Sequence, residues 1–306
     1  MIKPSRSQVF VVVVIGVVGV CLSAIWVRLA VDAVVPQNKV GFSLFLAAAR
    51  MIFAAMVLLP TWKGFKPKEI KPSAYYYAIA AGVCLAIHFA TWITSLSYTS
   101  IAASTVLVTT NPIWVGLFSW WWYKEKLTLK SSVGIGVALL GGIIIAIADS
   151  SNGGNYSNPI LGDALALIGS IMSSLYIIFG SQAQRRGLKT KNYIAIAYST
   201  AAICLLVSPF LAASSYSGYS PKIYFYICSM AVTSQLIGHS SLNWAVRWIS
   251  PTLISLSLLF EPVLASVLGA IVFNEVPSLE LLLGGLIILL GIAVFLNGEL
   301  RESKKK

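Results

Sequence analysis

Charge is scarce in this 306-residue chain: only 10% of its residues are Asp, Glu, Lys or Arg, against about a quarter in an ordinary soluble domain. So few charges cannot cover a water-facing surface. With 58% apolar residues and a mean hydropathy of +0.83, the composition excludes a soluble enzyme, a disordered chain and a collagen-like fibre. Cysteine is sparse as well. Cys21, Cys84, Cys204 and Cys228 all fall in apolar runs, with no CxxC and no histidines at zinc spacing, so neither a disulfide framework nor a zinc site is expected. The only two histidines, His88 and His239, lack any HExxH or paired-aspartate context, so no metal and no cofactor is expected. No GxxxxGK[ST] is present, which excludes direct ATP drive.

What the chain does have is long hydrophobic runs. A bilayer core about 30 Å thick asks for about 20 apolar residues per helix. Ten stretches qualify: 9–33, 41–61, 74–97, 99–123, 130–149, 160–180, 193–213, 223–247, 250–273 and 279–297. Their continuous apolarity predicts an all-α polytopic protein rather than a barrel. The first run is longer than a signal-peptide core and is read as a span.

Basic residues set the orientation. If the ten stretches alternate across the membrane, 18 of the lysines and arginines fall on one side and only Lys39 and Lys222 on the other, which places both termini in the cytoplasm. The formal net charge of +12 is thus a topology signal and a contact with lipid headgroups, not a nucleic-acid footprint. The aromatic clusters Tyr75–Tyr77 and Trp120–Tyr123 lie on that cytoplasmic side.

The chain also repeats itself. Shifted by 150 residues, Pro112 meets Pro262, Glu125 meets Glu275, Gly134 meets Gly284 and Gly141 meets Gly291 without a gap; Gly19 meets Gly169, Ser23 meets Ser173 and Trp26 meets Tyr176. Two units are expected, 1–149 and 150–306 with its basic tail, each carrying five spans. An odd number of spans makes the second copy enter from the opposite side. The expected architecture is therefore two inverted five-helix repeats, as in secondary transporters with a midplane site.

The pattern Asn111-Pro112-Ile113-Trp114 through Lys124-Glu125-Lys126-Leu127 to Gly134 and Gly141 resembles the EamA repeat of the drug/metabolite transporter superfamily. So does the second copy, from Phe260-Glu261-Pro262-Val263 through Asn274-Glu275 to Gly284 and Gly291, although Val276-Pro277-Ser278 departs from the usual basic-plus-leucine turn. Arg50, in Ala49-Arg50-Met51, looks like the arginine that family places in its second helix. The resemblance spans nearly the whole chain. It implies ten helices with cytoplasmic ends, and substrates among amino acids, other metabolites, cations and drugs.

Polar groups at mid-membrane need a reason. Arg50 is central in its span, either as a cavity-facing cation for an anionic substrate group or as half of a structural pair, with Glu261 the expected partner. Glu261 is itself central and a candidate proton-binding group for coupled transport. Asn111 is its repeat equivalent. Pro112 and Pro262 are expected to kink their helices, leaving the carbonyls of Val108 and Leu258 unpaired. Trp26, Trp92, Trp114, Tyr176 and Trp244 are candidate aromatic walls for an amphipathic or cationic substrate, beside His88 and His239. Arg28 is expected to snorkel to the outer surface. Gly134, Ala138 and Gly142, with Gly284, Gly285 and Gly291, suit close helix packing within a monomer or across a homodimer. Glu125 and Glu275 are expected to brace the helices that follow them.

The sequence thus points to a non-enzymatic, multi-pass transporter of the cell (plasma or inner) membrane. It would move a small polar or amphipathic metabolite, an amino acid or relative, outward by alternating access. Exchange of a nucleotide-sugar or phosphorylated metabolite, with Arg50 as anion clamp, remains open on the same fold. An intramembrane enzyme lacks a nucleophile–histidine pair or metal cluster, and a non-transporting scaffold would leave the repeat unexplained.

Overall fold

Hydrocarbon offers the backbone no hydrogen-bond partner, so long apolar runs must satisfy their own amides. The computed structural model describes residues 4–34, 38–63, 70–123, 128–151, 156–274 and 276–303, and helix is the only regular structure among them. Seven helices are long and apolar enough to cross a membrane, and Ser132–Ile144 and Leu279–Phe295 are shorter apolar helices.

In chain order the first repeat contains α1 (Arg6–Val34), α2 (Lys39–Val57), α3 (Pro72–Ser95), α4 (Ile101–Val108), α5 (Asn111–Tyr123) and α6 (Leu129–Ser151). The second contains α7 (Pro159–Arg185), α8 (Thr190–Leu205), α9 (Ser208–Leu211), α10 (Pro221–Met230), α11 (Ser240–Ala245), α12 (Pro251–Ser257), α13 (Glu261–Phe273) and α14 (Leu279–Ser303). Between α10 and α11 the chain winds as a π-helix, Ala231–His239, so the stretch 223–247 is helical but not one α-helix.

The kinks expected at Pro112 and Pro262 are instead full breaks. α4 ends at Val108 and α5 starts at Asn111; α12 ends at Ser257, a 3₁₀ turn covers Leu258–Phe260, and α13 starts at Glu261. Proline's fixed φ suits the first turn of a helix and its missing N–H costs nothing there, so each proline opens a new helix rather than bending an old one. Hydroxyls cover carbonyls ahead of the breaks: Thr109 Oγ1 donates to Thr105 O (2.7 Å) and Thr110 Oγ1 to Leu107 O (2.8 Å). Ser257 Oγ donates to Ile254 O (2.7 Å) in the second copy. Even the caps recur at the 150-residue offset, with Ser100 accepting from Ala103 N (3.0 Å) and Ser250 from Leu253 N (3.2 Å).

α6 and α14, repeat equivalents, pack along a glycine seam. A methyl on Gly134 would lie 2.5 Å from the Gly291 carbonyl oxygen, and one on Gly141 would lie 2.7 Å from that of Gly284. Seven residues up one helix is seven down the other, so the pair is antiparallel. A methyl on Gly291 would lie 2.5 Å from Ala138 N, so Ala138 completes the stripe; Gly142 does not join it, its nearest neighbour being Leu107 at 3.8 Å. Gly285 likewise faces Val106 at 3.6 Å. The same relation links the α3–α7 pair to α1 and the π-helix: Gly169 faces Trp92, while a methyl on Gly19 would lie 2.8 Å from Gly238 Cα.

Candidate functional site

The two breaks bring the first residues of α5 and α13 to one partly open cavity. Asn111 and Glu261 line about 380 Å³ of space together with Ser23 of α1, His88, Phe89 and Trp92 of α3, Thr109, Ser173 of α7 and His239. A second space of about 350 Å³ shares Ser173, His239 and Leu258 with the first and extends to Tyr176 and Asn243. The two form one chamber between the repeats.

Arg50 stands behind the wall of this chamber, with none of its surface exposed. Its guanidinium donates to Ser23 Oγ (2.9 Å), Ser234 Oγ (3.3 Å) and Gln235 Oε1 (2.9 Å), and lies 3.9 Å over the Phe89 ring. Its Nε has no partner. The expected ion pair with Glu261 is not formed. Four neutral groups from α1, α3 and the π-helix meet the charge, and the Glu261 carboxyl stands on the chamber wall without a hydrogen bond to any described residue. Sharing a buried charge among several dipoles and a ring face lowers the cost of keeping it in the membrane.

Asn111 donates from Nδ2 to Ser173 Oγ (3.0 Å). His88 meets the Gly169 carbonyl oxygen with Nδ1 (2.9 Å); a carbonyl only accepts, so Nδ1 carries the proton. Its ring lies parallel to Trp92 at 6.0 Å, and His239 stands edge-on to Phe89 at 5.4 Å. The Tyr176 hydroxyl receives Asn243 Nδ2 on the wall of the second space. Trp92 lines the first space with its indole N–H unpartnered.

Three expected wall residues lie elsewhere. Trp26 donates to Thr233 Oγ1 (3.2 Å) and packs on Phe225 and Tyr226, tying α1 to α10. Trp114 donates to Thr110 Oγ1 (3.1 Å) beside the first break, and Trp244 packs on Trp248 at 6.1 Å. Each finds a protein partner for an amphipathic ring close to its own helix, which satisfies it without a ligand. Arg28 does not snorkel: it is buried, donates to Thr99 O (3.0 Å) and lies 5.2 Å over the Tyr156 ring. Glu125 and Glu275 lie outside the described residues.

The EamA-like transporter family matches this chain twice, over residues 8–147 and 160–297. The chain belongs to that family. Among its relatives, an uncharacterized transporter of Clostridium kluyveri is 24% identical over 78% of this chain and 79% of its own length. Uncharacterized transporters of Archaeoglobus fulgidus are 20% identical (88% of this chain, 91% of theirs) and 25% identical (82% and 86%). A solved crystal structure shares the fold with a TM-score of 0.59 at 18% identity, covering 97% of this chain and all of that one. A duplicated EamA chain with several apolar helices is a multi-pass membrane protein of a transporter family.

No signal in the sequence marked Asn243, on the wall of the second space, or Ser234, Gln235 and Tyr198, which meet Arg50 and the π-helix behind the chamber. The Tyr198 hydroxyl reaches both the Gln235 carbonyl (3.3 Å) and Ser240 Oγ (3.2 Å) at the π-helix. Lone serines and amides in apolar helices carry no spacing signal. Ser23 and Ser173 did carry one, being repeat equivalents, and they touch Arg50 and Asn111 respectively.

Proposed function

We propose that the protein is a secondary transporter of the cell (plasma or inner) membrane. It moves a small polar or amphipathic metabolite, an amino acid or a related compound, and export is the direction we favour. In this reading ten helices form two inverted five-helix repeats with both termini in the cytoplasm, and the chamber opens alternately to either side. The observation that carries it is the antiparallel α6–α14 seam, in which the equivalents Gly134 and Gly284 each face the other's partner glycine. Discontinuous helices meeting at a central cavity are the recurring construction of such carriers. Glu261, on the chamber wall without a hydrogen bond to any described residue, supports coupling to protons as a further part of the reading. The phosphorylated-metabolite alternative is weaker, because Arg50 stands outside the chamber lining with both of its terminal nitrogens bonded to protein.

The test is counterflow in proteoliposomes containing the purified chain, run over a panel of amino acids and amines. Saturable exchange that an imposed pH gradient accelerates is the expected result. Flux no greater than that of empty liposomes for every compound would overturn the reading, and saturable flux indifferent to the gradient would remove the proton.

A further inference from the structure

We infer that the chamber grips its ligand by a protonated amine, and that Glu261, Asn111 and His88 form the receptor for it. The inference rests on the chamber being the transport site and adds the ligand's chemical class. It comes from counting donors and acceptors. Asn111 spends Nδ2 on Ser173, which leaves Oδ1 as an acceptor with no donor among the described residues. His88 is held with its proton on Nδ1 by the Gly169 carbonyl, so in the neutral ring Nε2 is a second acceptor with no donor among them. Neither carboxylate oxygen of Glu261 has a hydrogen bond to a described residue. None of these atoms is sealed from solvent without a partner, and all three residues line the same space. An ammonium group has three donors and no acceptor, and so fits this set.

The nearby cation, Arg50, is not among the residues that line this space, although its charge still acts on Glu261. Arg50 is fully enclosed, three hydroxyl and amide oxygens occupy its guanidinium, and Phe89 covers one face. A ligand carboxylate entering here would meet Glu261 as the charged group on the wall, with neutral donors in the Ser23 and Ser173 hydroxyls and the His239 imidazole. Like charges in a poorly hydrated site repel strongly. Trp92 gives the body of the ligand an apolar wall beside this head-group site.

His88 has a particular part in this. Its repeat equivalent is Gly238, which packs directly against Gly19, whereas His88 reaches the matching Gly169 through a hydrogen bond. The second repeat brings its own imidazole to this space, His239, from one position beyond that equivalent. His88 is a specificity-determining residue on this account, with its tautomer set by the backbone it leans on.

The experiment compares three probes of similar shape on the purified full-length protein by tryptophan fluorescence and calorimetric titration: phenethylamine, 2-phenylethanol and phenylacetate. Phenethylamine is expected to bind saturably, at least about tenfold more tightly than either of the others. Glu261→Gln and His88→Phe are expected to weaken phenethylamine binding about tenfold or more while leaving 2-phenylethanol within about twofold. Phenylacetate binding as tightly as phenethylamine, or no saturable phenethylamine binding by monodisperse protein, would overturn the inference whether or not the variants fold. A protein that binds phenethylamine but moves nothing in counterflow would instead sink the transport reading and leave the receptor standing. Flux of anionic compounds alone would do the reverse.

Discussion

The two helix breaks are built from the same parts and end differently. Each follows a serine cap 150 residues from its counterpart, is preceded by hydroxyls covering carbonyls, and restarts with a proline in second place. The first presents Asn111, tied to Ser173; the second presents Glu261, whose counterpart serine, Ser23, is taken by Arg50. A shared scaffold has thus been kept while its tip changed from a neutral amide to a carboxyl. Duplication supplies the geometry, and chemical function lies where the copies differ.

That comparison can be broken by substitution. The largest effect is expected for Glu261→Asn, which makes the second break like the first. Counterflow should fall about a hundredfold, since a bond to a charged group contributes about 1.5–3 kcal/mol and more than one is lost. Asn111→Asp is next: a second carboxyl in the chamber and the lost amide donor to Ser173 should lower flux about tenfold. Ser23→Ala should cost about 1–3 kcal/mol in thermal or denaturant unfolding, because it strands a donor of the buried Arg50. Ser100→Ala and Ser250→Ala should each cost about 1 kcal/mol, alike in the two copies because the caps are alike. The smallest change is expected for Ser173→Ala, about 0.6 kcal/mol, in line with single interhelical bonds in membranes. If Ser173→Ala proved as costly as Ser23→Ala, the asymmetry drawn here would be false.

The repeat was legible in the sequence because proline and glutamate are rare in apolar runs, so their coincidence at one offset stands out. The prolines and glycines pointed to where the helices depart from regularity and to close packing, though Gly142 and Gly285 stand outside the seam. They did not foretell that Pro112 and Pro262 begin helices rather than bend them, since a proline at the first turn and one in the interior look alike in a run of apolar residues. The central chamber at Asn111 and Glu261 was within reach of the sequence, but the environment of Arg50 was not. Charge suggested a carboxylate, and the fold supplied Ser23, Ser234, Gln235 and the ring of Phe89. Trp26, Trp114 and Trp244 misled for a related reason: composition gives an indole the same weight whether it faces a cavity or the next helix.

The crossed glycine seam of α6 and α14 bears on symmetry. Because Gly134 meets the counterpart of Gly141, and Gly141 the counterpart of Gly134, two identical half-length chains lying head to tail would make every one of these contacts twice, as any self-complementary interface does. The seam is thus self-complementary: a half-length chain carrying α6 would present to an antiparallel copy of itself the same close-packing surface that α6 and α14 share here.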